Sequence, residues 1–160
     1  MLEIQRLSIN EGERLRQLRL ASLEDAPDAF SSTFQEAVTL PRDSWLQQLQ
    51  VLPTFVAVLK GVDSGMVCSS PHPENAHVAY LISMWVAPNA RGQGVGDALL
   101  DAVIDWARSS SYTQLLLDVS NDNSFAITLY KRKGFKPTGM TSCLPPPREH
   151  IPELEMALDL

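Results

Sequence analysis

This chain predicts an α/β fold with a mixed central sheet, on three observations. Strand-like and helix-like segments follow one another along its whole length. No repeat, low-complexity tract or linker divides it. Its 160 residues, 44% hydrophobic and 20% charged, are enough to bury a core without disulfide support. One domain over residues 1–160 is therefore expected.

The elements can be justified in order. Leu2 to Ser8 alternates apolar and polar residues and reads as a first strand. Asn10 is a candidate cap for a helix through about Leu23, with Leu15, Leu18 and Leu20 as apolar positions. Ala26 to Phe30 turns the chain into a second helix carrying Phe30 and Phe34, and Pro41 with Asp43 opens a third through Trp45 and Leu49. Thr54–Leu59 is a strand, and Lys60 to Gly65 reads as the hairpin connection to a partner at Met66–Ser69. Pro71 to Asn75 is loop. His77–Val86 is a long apolar strand ended by Pro88. A helix from about Gly94 to Arg108 buries Val95, Ala98, Leu99, Ala102, Val103 and Trp106, while Asp97, Asp101 and Asp105 read as a solvated face. A strand at Gln114–Val119, a helix at Asn123–Lys133, a strand near Phe135, a loop at Cys143–Pro147 and a last strand at Leu154–Leu158 complete the order.

Bulk properties exclude several functions. The net charge of −6 opposes general affinity for nucleic acid. Cys68 and Cys143 stand apart and read as free thiols, and His72, His77 and His150 share no ligand-like spacing, so no metal is expected. No apolar run is long enough to span a membrane and the first residues do not resemble a signal peptide, which makes the cytoplasm the expected compartment.

The most informative segment joins Leu81–Val86 to a helix through Arg91-Gly92-Gln93-Gly94-Val95-Gly96. Glycines where a helix exposes unpaired N–H groups make a socket for an anion, and Arg91 adds charge beside it, so a phosphate or pyrophosphate is the expected ligand. A dinucleotide-binding fold is disfavoured. Asp97 stands where its third glycine would be, Ala87 to Arg91 intervene after the strand, and too little chain follows Asp118. A P-loop is excluded because Asp97 and Ala98 follow Gly96 in place of Lys and Ser/Thr. A second segment, Asn123 to Phe135, is a short helix with an N-cap at Asn123, cations at Lys131 to Lys133 and a stop at Gly134. Tyr130 shares a face with Ala126 and Ile127.

Taken together, the two segments resemble the GNAT superfamily of N-acetyltransferases. Arg91, Gly94 and Gly96 match its Q/R-x-x-G-x-G/A motif, and Asn123, Ala126, Tyr130, Gly134 and Phe135 match N-x-x-A-x-x-x-Y with a following G-F. The resemblance covers His77 to Gly139. It implies the GNAT, or acyl-CoA N-acyltransferase, fold: a mixed sheet of about six or seven strands with a splayed strand pair, flanked by helices. It also implies acetyl-CoA as co-substrate, a primary amine of a small molecule or peptide as acceptor, and direct attack in a ternary complex. Dimers are common in such families, so a homodimer is among the expectations.

The resemblance further implies site roles. The strand carrying Met84, Trp85 and Val86 would splay from Leu115–Val119 and pair with the pantetheine arm. Arg91, Gly92, Gln93, Gly94, Val95 and Gly96 would hold the pyrophosphate. A backbone N–H near Met84 or Trp85 would steady the oxyanion, Asn123 and Ala126 would belong to the cofactor site, and Tyr130 would be catalytic, protonating the leaving thiolate. Lys131 and Lys133 are candidates for reaching the nucleotide phosphate. One position departs from the pattern. Several members carry a general-base glutamate where this chain has Tyr80, a poor base at neutral pH, so proton removal would go through water aided by Ser83, His77 or Asp118. Three rivals stand beside this reading: an acetyl-CoA sensor without turnover, an enzyme using another acyl-CoA, and an interaction module with a vestigial cofactor site.

Overall fold

The computed structural model describes residues 1–160. Seven strands form one sheet: β1 (Leu2–Arg6), β2 (Thr54–Leu59), β3 (Val62–Pro71), β4 (Val78–Val86), β5 (Gln114–Ser120), β6 (Lys136–Cys143) and β7 (Pro152–Asp159), in the spatial order β1-β2-β3-β4-β5-β7-β6. Five helices accompany it: α1 (Gly12–Asp25), α2 (Phe34–Val38), α3 (Arg42–Val51), α4 (Val95–Ser109) and α5 (Ser124–Arg132). Every neighbouring pair runs antiparallel except β4 and β5, so the sheet is mixed as expected. No helix is long and apolar enough to cross a membrane.

Apolar residues fill both faces. Val95, Leu99, Leu100, Val103 and Ile104 of α4 pack with Phe55, Val67, Leu81, Leu117 and Met156 on one face. Leu15, Leu18 and Leu23 of α1, with Trp45 and Leu49 of α3, cover Val56, Met66 and Cys68 on the other. Strand alternation assigns each side chain its face.

Several local expectations are corrected. Asn10 does not cap α1; the helix begins at Gly12, and the Glu11 carboxylate instead accepts the Ser8 N–H at 2.8 Å. Phe30 lies outside any helix, because Thr33 starts a new one: its hydroxyl accepts the Glu36 N–H at 3.2 Å and donates to the Glu36 carboxylate at 2.7 Å. The hairpin turn is only Lys60-Gly61, both at positive φ (52° and 80°), so β3 starts at Val62 and outruns the expected Met66–Ser69. β1 stops at Arg6, β6 takes in Cys143, and β7 is longer at both ends than Leu154–Leu158. Asp101 and Asp105 of α4 are solvent-exposed as expected, but Asp97 and Asp101 also carry ion pairs. Arg132 forks onto Asp97 at 2.9 and 3.1 Å, and Lys133 reaches Asp101 at 2.9 Å, tying α5 to α4.

Candidate functional site

Two irregularities of β4 create the site. The first is where its pairing ends. The parallel ladder with β5 consists of Val78, Ala79 and Tyr80 against Gln114, Leu115 and Leu116. Beyond Tyr80, the strand keeps only β3, and β5 keeps only β7. A buried edge with unmade backbone hydrogen bonds is costly unless something else satisfies it. The second irregularity is a bulge. Cys68 lies opposite Ile82 but Met66 opposite Trp85, so one extra residue is inserted on β4 around Ser83, whose φ is +57°. The insertion reverses the alternation. Leu81 faces α4, and Val86, five residues on, faces it too, whereas Ile82 and Trp85 face α1. A non-glycine residue held in the left-handed region stores strain, and such positions gather at functional sites.

The splay opens into a cleft of about 1000 Å³. Its walls include Leu81 to Val86, Asp118 to Ser120, Asn123, Ala126, Tyr130 and the turn from Arg91 to Gly96, together with Ala26, Ala29 and Phe30 from the loop after α1. Thus Met84, Trp85, Val86, Arg91, Gly92, Gly94, Val95, Gly96, Asn123, Ala126 and Tyr130 all meet in one cavity. Gln93 does not; its amide turns back to donate to the Asn89 carbonyl at 3.1 Å.

The three glycines have different tasks, which corrects the expectation that all three serve anion approach. Gly92 (φ +77°) and Gly94 (φ +83°) occupy left-handed conformations with open space where a Cβ would lie. Gly94 is the N-cap of α4, so its conformation aims the first free N–H groups of that helix into the cleft. Gly96 is already helical, and a Cβ there would meet Leu129 Cδ2 at 2.9 Å. It lets α5 pack closely on α4. Arg91 also differs from expectation, because its charge is engaged: Nη2 donates to Asp25 at 2.7 Å and Nε to the Val86 carbonyl at 3.0 Å. The same Asp25 oxygen accepts the Trp85 indole N–H at 3.0 Å. Asp25 therefore binds the end of α1 to both β4 and the glycine turn. No local signal marked this residue, since its partners lie 60 and 66 positions away.

Tyr130 packs its ring against Phe135, with centroids 5.8 Å apart, in the core beneath α5. Its hydroxyl has no hydrogen-bond partner in the protein and yet is not sealed off; it opens to the cleft. Burial pushes its pKa far above that of an ordinary phenol, which keeps it protonated. Asn123 caps α5 by accepting the Ala126 N–H at 3.2 Å, which places Tyr130 two turns along on the cleft side. Lys133 is held by Asp97 and Asp101, so of the two lysines considered for a nucleotide phosphate only Lys131 has no ion-pair partner.

Tyr80 lies on the opposite side of β4 from Ala79 and Leu81, stacked on His72 at 5.4 Å. Burial and the charges of Glu155, Asp118 and Glu74 raise its pKa, so it is no base at neutral pH. Asp118 lines the cleft, and burial together with Glu155 raises its carboxyl above the usual range.

Comparison with known proteins gives concordant likenesses. The model of the acetyltransferase (GNAT) family matches residues 15–135. Mouse N-acetyltransferase 8B is 35% identical over 88 residues, which is 53% of this chain and 38% of that protein. Streptothricin acetyltransferase of Streptomyces lavendulae is 42% identical over 92 residues, 57% of this chain and 48% of that one. These matches thus span less than half the length of either relative. Among solved structures, a GNAT-family acetyltransferase from Streptococcus pneumoniae superposes with a TM-score of 0.82 at 22% identity, covering 100% of both chains. A Salmonella typhimurium protein solved with its cofactor acetyl-CoA gives 0.82 at 19%, covering 100% of this chain and 94% of that one.

Proposed function

This chain belongs to the GNAT family of acetyltransferases, and from that premise we propose that it transfers an acetyl group from acetyl-CoA to a primary amine, the two substrates meeting in one cleft. The observation that carries this reading is the convergence at the splay. A strand edge with unmade hydrogen bonds, a helix N-terminus behind a left-handed glycine, and a protonated hydroxyl without a partner all open into the same cavity.

Each feature answers a need of the reaction. The free N–H groups at the start of α4, with the positive end of its dipole, suit a pyrophosphate. The unpaired edge of Leu81–Val86 offers backbone partners to an extended, amide-containing arm. A backbone N–H near Met84 or Trp85, next to the bulge at Ser83, would donate to the carbonyl oxygen as negative charge builds there. Tyr130 holds its proton through the ground state and is the donor available to the departing sulfur as negative charge builds on it. Attack is by the neutral amine, directly, without a covalent enzyme intermediate.

The acceptor is tested with a panel of amines. Relatives are named for streptothricin and for aminoglycosides, and a Brucella melitensis structure for a ribosomal-protein alanine, so the panel contains a compound of each kind. Release of free CoA thiol that depends on an amine, together with the acetylated product by mass spectrometry, is the expected result. Tight acetyl-CoA binding without release for any amine would instead establish the sensor reading. Release with a longer acyl-CoA in preference to acetyl-CoA would reassign the donor.

A further inference from the structure

Arg19 is the only buried cation of the chain. It is 8% exposed, and no carboxylate lies within ion-pair distance of its guanidinium. Its one hydrogen bond is long: Nη1 donates to the Ser22 hydroxyl at 3.4 Å. Nε and Nη2 have no partner, and neither is sealed off. Those two groups form the planar fork that matches a carboxylate. The chain uses this fork twice elsewhere. Arg14 sets Nε and Nη2 on the two Asp63 oxygens at 2.8 and 2.7 Å, and Arg132 sets the same pair on Asp97. On Arg19 the fork is open, although burial makes an unpaired charge most costly there. Desolvation accordingly lowers its pKa, and the Phe30 ring, 4.5 Å from the guanidinium carbon, offsets only part of that cost.

The place of Arg19 in the fold says which anion is missing. Phe30, over which it stands, lines the cleft, and so does Ser83 at the bulge. Cys68 has both Arg19 and Ser83 as neighbours, so the guanidinium stands just behind this stretch of wall. Burial raises the Cys68 thiol, which stays neutral and is no counter-ion. Arg19 is also six residues, or about 9 Å of helix, before Asp25, whose carboxylate ties α1 to the glycine turn. An anion at Arg19 is therefore not the pyrophosphate suited to the start of α4.

We propose that Arg19 binds a carboxylate of the acceptor, entering beside Phe30, and that the acceptor is an amino-acid-like amine. This rests on the acetyltransferase reading and narrows the primary amine to one class. A polycation gains nothing from a guanidinium at that point and is repelled by it. An amine with a carboxylate a few bonds away supplies the missing counter-charge and is held by two parallel hydrogen bonds. Arg19 touches the substrate and decides specificity; it takes no part in bond making.

The test has a kinetic arm and a binding arm. Free-thiol release is followed with the common L-amino acids and with their carboxamides, which keep the amine and lose only the charge. At least one amino acid should be acetylated with a kcat/KM about tenfold or more above that of its amide. Arg19→Met, which keeps an apolar stem against Phe30, should raise KM for that amino acid by about 10–100-fold and leave KM for the amide within about twofold. Arg19→Lys should recover only part of the loss, because an ammonium has no fork. The binding arm needs no turnover. Protein saturated with CoA is titrated with sodium pentanoate and with neutral pentanamide. The Arg19 Nε–H resonance, assigned by its absence in Arg19→Lys, is followed by NMR. Pentanoate should move that resonance and the Phe30 amide; pentanamide should move neither. Equal shifts with both probes, amides used as well as amino acids, or an Arg19→Met change that raises KM for acid and amide alike overturns the assignment. Absence of thiol release with every amine would sink the transferase reading, and the pentanoate shift would still decide whether Arg19 holds a carboxylate.

Discussion

The face of the sheet that carries α4 and α5 and the face that carries α1 and α3 meet at the splay, but they are put together differently. On the first, the site comes from two short continuous segments, Arg91–Gly96 and Asn123–Phe135, each shaped by its own backbone: a left-handed cap at Gly94, an Asn cap, a glycine stop. On the second, the walls come from the residue after α1, the loop through Ala29 and Phe30, and the outer side of β5 at Asp118 and Ser120, with Arg148 of the loop before β7 holding the Phe30 carbonyl. A ligand shared by a whole family can be served by local geometry that changes little. An acceptor that varies is better served by pieces held together through long-range contacts, since each piece can change without disturbing the socket. Asp25 crosses between the two, joining the last residue of α1 to Trp85 and Arg91.

The sharpest test of this division is chemical. Tyr130→Phe keeps the buried ring against Phe135 and removes only the hydroxyl. Turnover should fall by roughly 10²–10⁴-fold while acetyl-CoA affinity by calorimetry stays within a factor of two. Equal turnover with chemistry rate-limiting would make Tyr130 a core residue.

Next in size is Gly94→Val. A Cβ there meets no atom, but φ is +83°, where a β-branched residue is strained. Stability should drop by about 1–2 kcal/mol in urea titration and acetyl-CoA affinity should fall with it. Gly96→Ala should behave differently: a lower melting temperature from the contact with Leu129, with affinity largely kept. If both variants lose affinity and stability in the same proportion, the two glycines share one role and the distinction fails.

If the loop through Phe30 serves the acceptor, as the proposed function has it, Arg148→Ala is informative, because it removes three hydrogen bonds that hold the 27–31 loop. KM for the amine should rise by about tenfold, the equivalent of one to two lost hydrogen bonds, with acetyl-CoA affinity unchanged. A loss of cofactor affinity instead would show that the two sides are not independent.

The smallest effect belongs to the tie between α4 and α5. Hydrogen bonding from Arg132, chiefly, holds the Asp97 carboxyl below its ordinary value of 3.8. A depressed carboxylate stabilises the fold above its unfolded pKa, and that contribution is lost as pH falls through the folded value. Asp97→Asn should therefore cost at most about 1 kcal/mol at pH 7, given the exposure of the pair, and progressively less as pH falls through the depressed folded value. A difference in thermal melts that does not shrink as the pH is lowered from 7 into the acid range would remove the ion pair as its cause.

Much of the socket side was legible because its signals are local. Turn glycines, a capping Asn and a C-terminal glycine act within a few residues, and strand and helix periods show which side chains face inward. So the mixed sheet, the long β4, the glycine turn and Tyr130 were all readable from the amino-acid order. Errors fell at ends, where one residue decides: Thr33 rather than the Ala26–Phe30 turn starts α2, and a two-residue Lys60-Gly61 turn lengthens β3.

Other features depend on distance across the fold and had no local trace. The bulge at Ser83 leaves an ordinary apolar run in the sequence, yet it decides which face Met84 and Trp85 take. Gly96 looks like its neighbours until Leu129 is packed against it. The partners of Arg91, Lys133 and Arg148, carboxylates for the first two and backbone carbonyls for the third, are brought from segments up to 121 positions apart. Glu155 and Asp118 become a pair only through the register of β5 against β7. Backbone conformation is governed by immediate neighbours and can be read along the chain; burial and charge pairing are properties of the closed sheet, and only the tertiary structure decides them.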